Sequence, residues 1–276
     1  MSRPLIATSI VDPVGRAVKN IMLEYASCRE TSVSGSIEAY VCSYESIEFI
    51  FTVFEPDVIY LEQLSNVEAP FAVVVSRHES QSKMPSLTVH TPGNLGPFNA
   101  AGGKPWEAPP SNPRLQHLLL LNLARLAREE GLEGFDITYE ATHHGPTSVA
   151  IPVTFVEIGS SEKEWDNVYA QRVLTLALLR SLNDLDKHVC IASVGFGGPH
   201  YAKPFTERSL HGDECYGHIV ARYVLNQLGQ EVSRAAEMAI TLTPNVKRVV
   251  VEKMRSEIRS RIEEVARRYG LEVVRL

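Results

Sequence analysis

Thr142-His143-His144-Gly145-Pro146-Thr147 sets two adjacent imidazoles directly before a turn dipeptide, and Glu157-Ile158-Gly159-Ser160-Ser161 follows closely, with Trp165 beyond it. Histidine recurs in comparable settings. Arg77-His78 ends an apolar run, His90 precedes Thr91-Pro92-Gly93-Asn94, His200 follows Gly197-Gly198-Pro199, and His218 follows Gly217. Neutral imidazole is a good ligand for Zn2+, and its ordinary pKa also suits it to proton transfer near neutrality. A hydrolytic zinc site takes three protein ligands and a water, whose pKa the metal lowers towards about 7. In open α/β sheets ligands gather beyond the carboxyl ends of strands, and four candidate strands here end in histidine-bearing loops. That recurrence points to one composite site.

Two chemistries stand open at this level. His78, His90, His200 and His218 are candidate ligands for one or two Zn2+ ions, with His143, His144, Glu157 and Thr147 as candidate catalytic groups. Glu140 and Glu157 are the carboxylates nearest the histidine pair, suited to complete a metal shell or to act as general base. There is no H-E-x-x-H and no H-x-H, so a metal-free site in which one histidine activates a water is the other reading. Gly159-Ser160-Ser161 either presents N–H and hydroxyl groups to an anion or caps a helix. Ser160, Ser161, Gly145, Pro146, Asn94 and Tyr201 are the candidate substrate contacts. Trp165 and Tyr201 are of a type that stacks on a base or an amino-acid side chain, although Trp165 also falls on an apolar helix stripe. Gly195-x-Gly197-Gly198 lacks the G-x-G-x-x-G pattern and is not read as a dinucleotide site.

These residues need elements to position them. Residues 5–11 read as an opening strand, and Asp12 or Pro13 starts a helix that carries Val14, Ala17, Val18, Ile21, Met22 and Tyr25 on one face. Short strands are expected at 37–42 and 48–53. The run Phe-Ala-Val-Val-Val-Ser at 71–76 reads as a strand buried on both faces, ending on Arg77-His78. A further short strand ends at His90. From 92 to 113, six prolines and four glycines exclude a regular element, and Phe98 and Trp106 give this loop something to bury. Ser111-Asn112-Pro113 then starts a helix whose stripe is Leu115, Leu118, Leu119, Leu123 and Leu126. Phe135, Ile137 and Tyr139 alternate with Asp136, Thr138 and Glu140, the signature of a half-buried strand. A strand at 152–158 leads into a helix opened by Ser161 with Glu164 three residues on, and Trp165, Val168, Tyr169, Val173, Leu176 and Leu179 continue its buried stripe. A strand is expected at 189–194, a helix from His218 to Leu228, a long basic helix at 244–269 and a last strand at 271–274.

Alternating strands and helices give an α/β fold with a largely parallel or mixed sheet flanked by helices. A single catalytic domain over residues 1–276 is expected, elaborated by the 92–113 loop and the basic C-terminal helix. The net charge of −6 argues against indiscriminate nucleic-acid binding. Residues 245–276 nevertheless carry nine Lys/Arg against five acids, fit either for contacting phosphates or for a helix face laced with i,i+4 ion pairs such as Glu257–Arg261. Four scattered cysteines without C-x-x-C suggest a reducing cytoplasm. Charges within the first 25 residues argue against a signal peptide, and no run of 18 apolar residues suggests a membrane span.

Several motifs match a known family. Ser76-Arg77-His78, Leu87-Thr88-Val89-His90 with Gly93-Asn94, the 142–147 run, Glu157-Ile158-Gly159-Ser160-Ser161 with Glu164-Trp165, Gly197-Gly198-Pro199-His200-Tyr201 and Gly217-His218 resemble the archaeal and plant type of D-aminoacyl-tRNA deacylase. The resemblance is strong over residues 70–225. It implies a fold similar to peptidyl-tRNA hydrolase or nucleoside phosphorylase, association with zinc, and hydrolysis of the ester joining a D-amino acid to the 3′-terminal ribose of tRNA. The acceptor end of D-aminoacyl-tRNA is then the expected partner of a cytoplasmic monomer. A zinc amidohydrolase, a peptidyl-tRNA hydrolase-like enzyme and a non-catalytic tRNA-binding module are the alternatives. An aminoacyl ester is already activated, so one polarised water and an oxyanion donor suffice, and a rigid Gly145-Pro146 turn is suited to exclude an L side chain.

Overall fold

Leu5, Ile6 and Ala7 are fully buried, as an opening apolar run requires, and form β1 (Leu5–Ser9) in the computed structural model, which describes residues 3–80 and 83–276. Asp12 accepts from Gly15 N and starts α1 (Pro13–Tyr25), with proline in its first turn. An edge strand that the sequence pattern did not announce, β2 (Ser27–Thr31), precedes β3 (Glu38–Tyr44) and β4 (Ile47–Phe54). The apolar run forms β5 (Ala72–Glu79), which includes His78 instead of ending before it. β6 (Ser86–His90) feeds the Pro/Gly-rich loop and then α2 (Pro113–Glu129), capped by the Asn112 side chain accepting from Leu115 N. β7 (Asp136–Tyr139), β8 (Val153–Ser160), α3 (Glu162–Trp165) and α4 (Val168–Asp184) follow. The chain continues through β9 (Ile191–Phe196), α5 (Lys203–His211), β10 (Glu214–Val220), α6 (Arg222–Leu228), α7 (Val232–Thr241), β11 (Arg248–Val251), α8 (Ser256–Arg268) and β12 (Glu272–Arg275).

Among the described residues, eight strands form one sheet in the order β2-β3-β4-β1-β5-β8-β6-β7, and four form a second in the order β10-β9-β11-β12. The first sheet is mixed. β1, β4, β5 and β8 run parallel, whereas β6 and β7, parallel to each other, run antiparallel to β8. The second sheet is parallel throughout. The leucine stripe of α2 joins residues of α1, α4, β5, β6 and β8 in one apolar core, which reaches Tyr216, Ile219 and Val250 of the second sheet.

Four expectations change. The helix expected at 244–269 is β11 followed by a shorter α8, because Val249, Val250 and Val251 are buried between parallel partners and β-branched residues suit that environment. His218 lies inside β10 and opens no helix; the helix there begins at Arg222. The expected helix from Ser161 breaks into α3 and α4, since the Asn167 side chain caps a new helix start by accepting from Tyr169 N and Ala170 N. Val168 and Tyr169 consequently leave the buried stripe, at 64% and 60% exposure. The cysteines meet in disulfides, Cys28–Cys42 across the paired strands β2 and β3 and Cys190–Cys215 across the entries to β9 and β10, which withdraws the cysteine argument for a reducing compartment. Intracellular disulfides are a property of hyperthermophile proteins.

The 92–113 loop is ordered by its own contacts. Asn94 and Glu107 exchange backbone hydrogen bonds, and Trp106 packs beneath the Arg234 guanidinium of α7 at 4.2 Å. Phe98 stays half exposed, contrary to the expectation that it is buried.

Candidate active site

Period-2 alternation along β5 and β8 sends Ser76, His78 and Glu157 to one face and Arg77, Glu79 and Ser160 to the other. Because β6 and β7 run the opposite way, their carboxyl ends bring His90 and Glu140 back over that first face. The loops after β7 and β9 add His143, His144, His200 and Tyr201. Backbone bonds fix them, with Glu140 N donating to Val89 O, Ala141 N to His200 O, and Glu140 bridging to Tyr201.

The centre of this arrangement is the Glu140 carboxylate, whose side chain is 0% exposed. Oε1 lies 3.2 Å from His78 Nδ1, and Oε2 lies 3.2 Å from His200 Nε2, 3.5 Å from His143 Nε2 and 4.0 Å from His90 Nδ1. Neither oxygen makes a well-aligned hydrogen bond, and an unsatisfied buried carboxylate is costly. Burial works against its charge, but the His200 contact and the surrounding imidazoles hold its pKa well below the usual carboxylate range.

The histidines divide by tautomer and charge. His143 Nδ1–H donates to the Ala141 carbonyl at 2.8 Å, and His144 Nδ1–H donates to the Gly145 carbonyl at 2.6 Å. Both Nε2 atoms therefore carry lone pairs. His90 Nε2 lies 3.1 Å from His144 Nε2. Burial, reinforced by neighbouring imidazoles, pushes the pKa values of His90 and His143 far down; burial also lowers that of His144. His78 is the opposite case. Burial disfavours its charge, yet the Glu157 hydrogen bond and the two carboxylate charges raise it to about 10. Its Nε2 meets the Tyr201 hydroxyl at 3.1 Å, while Glu157 accepts from the Ser76 hydroxyl at 2.7 Å. His143 and His200 are partly exposed, whereas the carboxylates beneath them are buried.

The structure thus brings together His78, His90, His143, His144, Glu157, His200 and Tyr201. Other candidates sit elsewhere. His218 is fully buried, with Nδ1 3.1 Å from Thr142 Oγ1 and Nε2 3.2 Å from Pro109 O, so both ring nitrogens are engaged away from the cluster. Thr147 Oγ1 accepts from Lys104 N and donates to Glu107, and Asn94 Nδ2 donates to the Gly102 and Lys104 carbonyls, so both organise the 92–113 loop. Gly145 and Pro146, joined by a cis peptide, are buried against that loop. Ser160 and Ser161 line a surface pocket with Glu79, Lys83 and Trp165. Trp165 is only partly buried, and its Nε1–H donates to the His78 carbonyl. Glu140 was expected, beside Glu157, only as a carboxylate suited to complete a metal shell or act as general base, not as the centre of the cluster; its strand position, three residues before His143, was the available signal.

The sequence profile of D-aminoacyl-tRNA deacylase matches residues 65–274. The D-aminoacyl-tRNA deacylase of Staphylothermus marinus is 36% identical over 96% of this chain and 96% of its own length. That of Aeropyrum pernix is 35% identical over 98% and 99%. A solved structure of a conserved protein of unknown function superposes with a TM-score of 0.90 at 28% identity, covering 99% of this chain and 95% of the other.

Proposed function

Since the chain belongs to the D-aminoacyl-tRNA deacylase family, we propose that the ring of imidazoles around Glu140 is where it hydrolyses the ester of D-aminoacyl-tRNA. The enzyme is a hydrolase acting on ester bonds, freeing the D-amino acid and tRNA. The observation that carries the assignment of the site is a fully buried carboxylate without aligned hydrogen bonds, within 4.0 Å of four histidines.

The same residues fit a divalent metal, which we assign as zinc. His90, His143 and His144 offer nitrogens within 4.8 Å of one another, and the carbonyl acceptors behind His143 and His144 are the usual outer partners of ligating imidazoles. When bound there, zinc supplies a polarised water at neutral pH.

The remaining groups handle protons. His200 Nε2 faces Glu140 at 3.2 Å, which assigns the ring proton to Nε2 and leaves Nδ1 with a lone pair, an arrangement in which a buried carboxylate orients a general base. Water adds to the ester carbonyl and loses a proton to His200 Nδ1. The bond to the ribose oxygen breaks, and that oxygen takes a proton from Tyr201, resupplied by the charged His78. The buried Gly145-Pro146 turn holds His144 in place, and its fixed position against Gly103 supports giving it the steric exclusion of an L side chain. The acceptor end of the tRNA enters past His143 and His200. A translation substrate supports a cytoplasmic location, and we take the enzyme to act as a monomer; no described helix is long and apolar enough to cross a membrane.

His200→Gln should lower kcat by about 10²–10⁴-fold while leaving the metal bound. Equal release of D- and L-tyrosine from their tRNA esters by the wild type would overturn the assignment.

A further inference from the structure

Outside the Glu140 cluster, His117 of α2, His188 and Cys190 before β9, and Cys215 at the start of β10 converge. Ligand atoms of His117, His188 and Cys190 all lie within 4.8 Å of one another, and Cys190 is bonded to Cys215. His117 Nε2 meets the Ser209 carbonyl at 3.0 Å. A carbonyl only accepts, so Nε2 carries the proton and Nδ1 the lone pair. That lone pair faces His188 Nε2 at 3.1 Å. His117 is 2% exposed and Cys215 fully buried, so the place is built into the fold.

Two nitrogens and one sulfur lie together here, and the Cys215 sulfur, bonded to that of Cys190, is the second sulfur that reduction would free beside them; two nitrogens and two sulfurs are the donor set of a closed, four-coordinate structural zinc site, and the carbonyl behind His117 is its usual outer partner. We propose that in the dithiol form His117, His188, Cys190 and Cys215 bind a soft divalent cation of the zinc class, and that disulfide and metal are alternative clamps at one position. The switch balances with a trialkylphosphine as reductant. The disulfide takes up two electrons and two protons, the phosphine gains the oxygen of a water, and the two thiols then release their protons to solution as their sulfurs bind the metal. The disulfide ties the entries of β9 and β10 to each other, and the metal would add α2 to that tie through His117. Gln116, next to His117, carries that tie towards the active site by donating to Thr91 Oγ1 and to Gly217 O.

Co2+ is the probe, because a thiolate ligand gives it a near-ultraviolet charge-transfer band that the cysteine-free Glu140 cluster does not produce. Phosphine-reduced, desalted wild type should develop this band and saturate it at about one equivalent of thiolate-bound metal. The disulfide form and reduced Cys190→Ser, which keeps Cys28 and Cys42, should lack it. His117→Gln and His188→Gln should each weaken Co2+ binding at the band by about tenfold or more. No band in reduced wild type, a band that persists in Cys190→Ser, or unchanged affinity in both histidine variants would each overturn the proposal. The wild-type arm needs no substitution, so the outcome does not depend on how the variants fold.

Discussion

Glu140→Gln keeps the side chain's shape and removes the charge that four imidazoles share. With no anion at its centre, the cluster should bind its metal at least about tenfold more weakly and lose about 100-fold or more in kcat/KM. Steady-state kinetics beside elemental analysis measures both; full activity would mean that the carboxylate only fills space. Thr142 makes the contrasting case. Its hydroxyl accepts from Ile219 N and donates to His218, so Thr142→Val leaves a buried imidazole without its partner. The expected cost is about 1–3 kcal/mol in denaturant unfolding, with metal content unchanged. The two substitutions separate histidines that act from a histidine that braces, a distinction that residue type alone does not carry.

At the scale of elements, the turn after His144 has no room for growth. A methyl group added at Gly145 would sit 2.4 Å from the Ile59 carbonyl oxygen and 2.8 Å from Gly103 N, both backbone atoms. Gly145→Ala should therefore cost about 1–3 kcal/mol of stability and lower kcat further than that loss explains, because the turn moves His144 with it. Thermal unfolding and single-turnover deacylation measure the two effects apart. What the sequence disclosed about these elements follows from how local each signal is. The Asn112 cap, Pro113 and the leucine stripe of α2 are written within one stretch and were legible. β11 was not, because Val249 to Val251 lie among helix-forming residues and only their parallel neighbours β9 and β12 make them a strand. Glu140 was read as the solvent side of an alternating strand. Both sides are in fact covered, with Thr138 buried against Thr206 of α5 and Glu140 against the histidines. The cysteine pairs were equally hidden, since each joins strands whose pairing is a property of the whole sheet. The histidine-bearing strand ends did reveal a composite site, though β6 and β7 approach it from the direction opposite to β5 and β8.

Across the whole molecule, charge holds the second sheet to its helices. Glu214 is 2% exposed; it accepts from Arg208 at 2.5 and 2.6 Å, from Arg248 at 2.8 Å and from the Tyr216 hydroxyl at 2.6 Å. Burial opposes its ionisation, but these donors win and lower its pKa to about 2. A carboxyl with a depressed folded-state pKa adds stability above its unfolded value of 4.5, and that contribution fades as pH falls through the folded value. Glu214→Gln should cost about 3–5 kcal/mol at neutral pH, and the gap between variant and wild type should narrow in acid. Denaturant midpoints across the acid range test this; a gap independent of pH would assign the loss to packing. The C-terminal helix, by contrast, pairs basic charge within itself, Arg259 with Glu263 and Arg261 with Glu257, while Arg275 of β12 also meets Glu263.

The span of chain between the residues of the active site sets an order in time. His78 and Tyr201 touch across 123 residues, and His90 meets His144 across 54. Contacts this distant in sequence close late, after the loop entropy between them has been overcome. No short segment holds all of the proposed ligands, so a metal bound there would arrive as the last component of a finished scaffold and not act as its seed. In refolding from denaturant, recovery of tryptophan fluorescence should proceed at the same rate with or without Zn2+, and deacylation should return only in a later step whose rate rises with metal concentration.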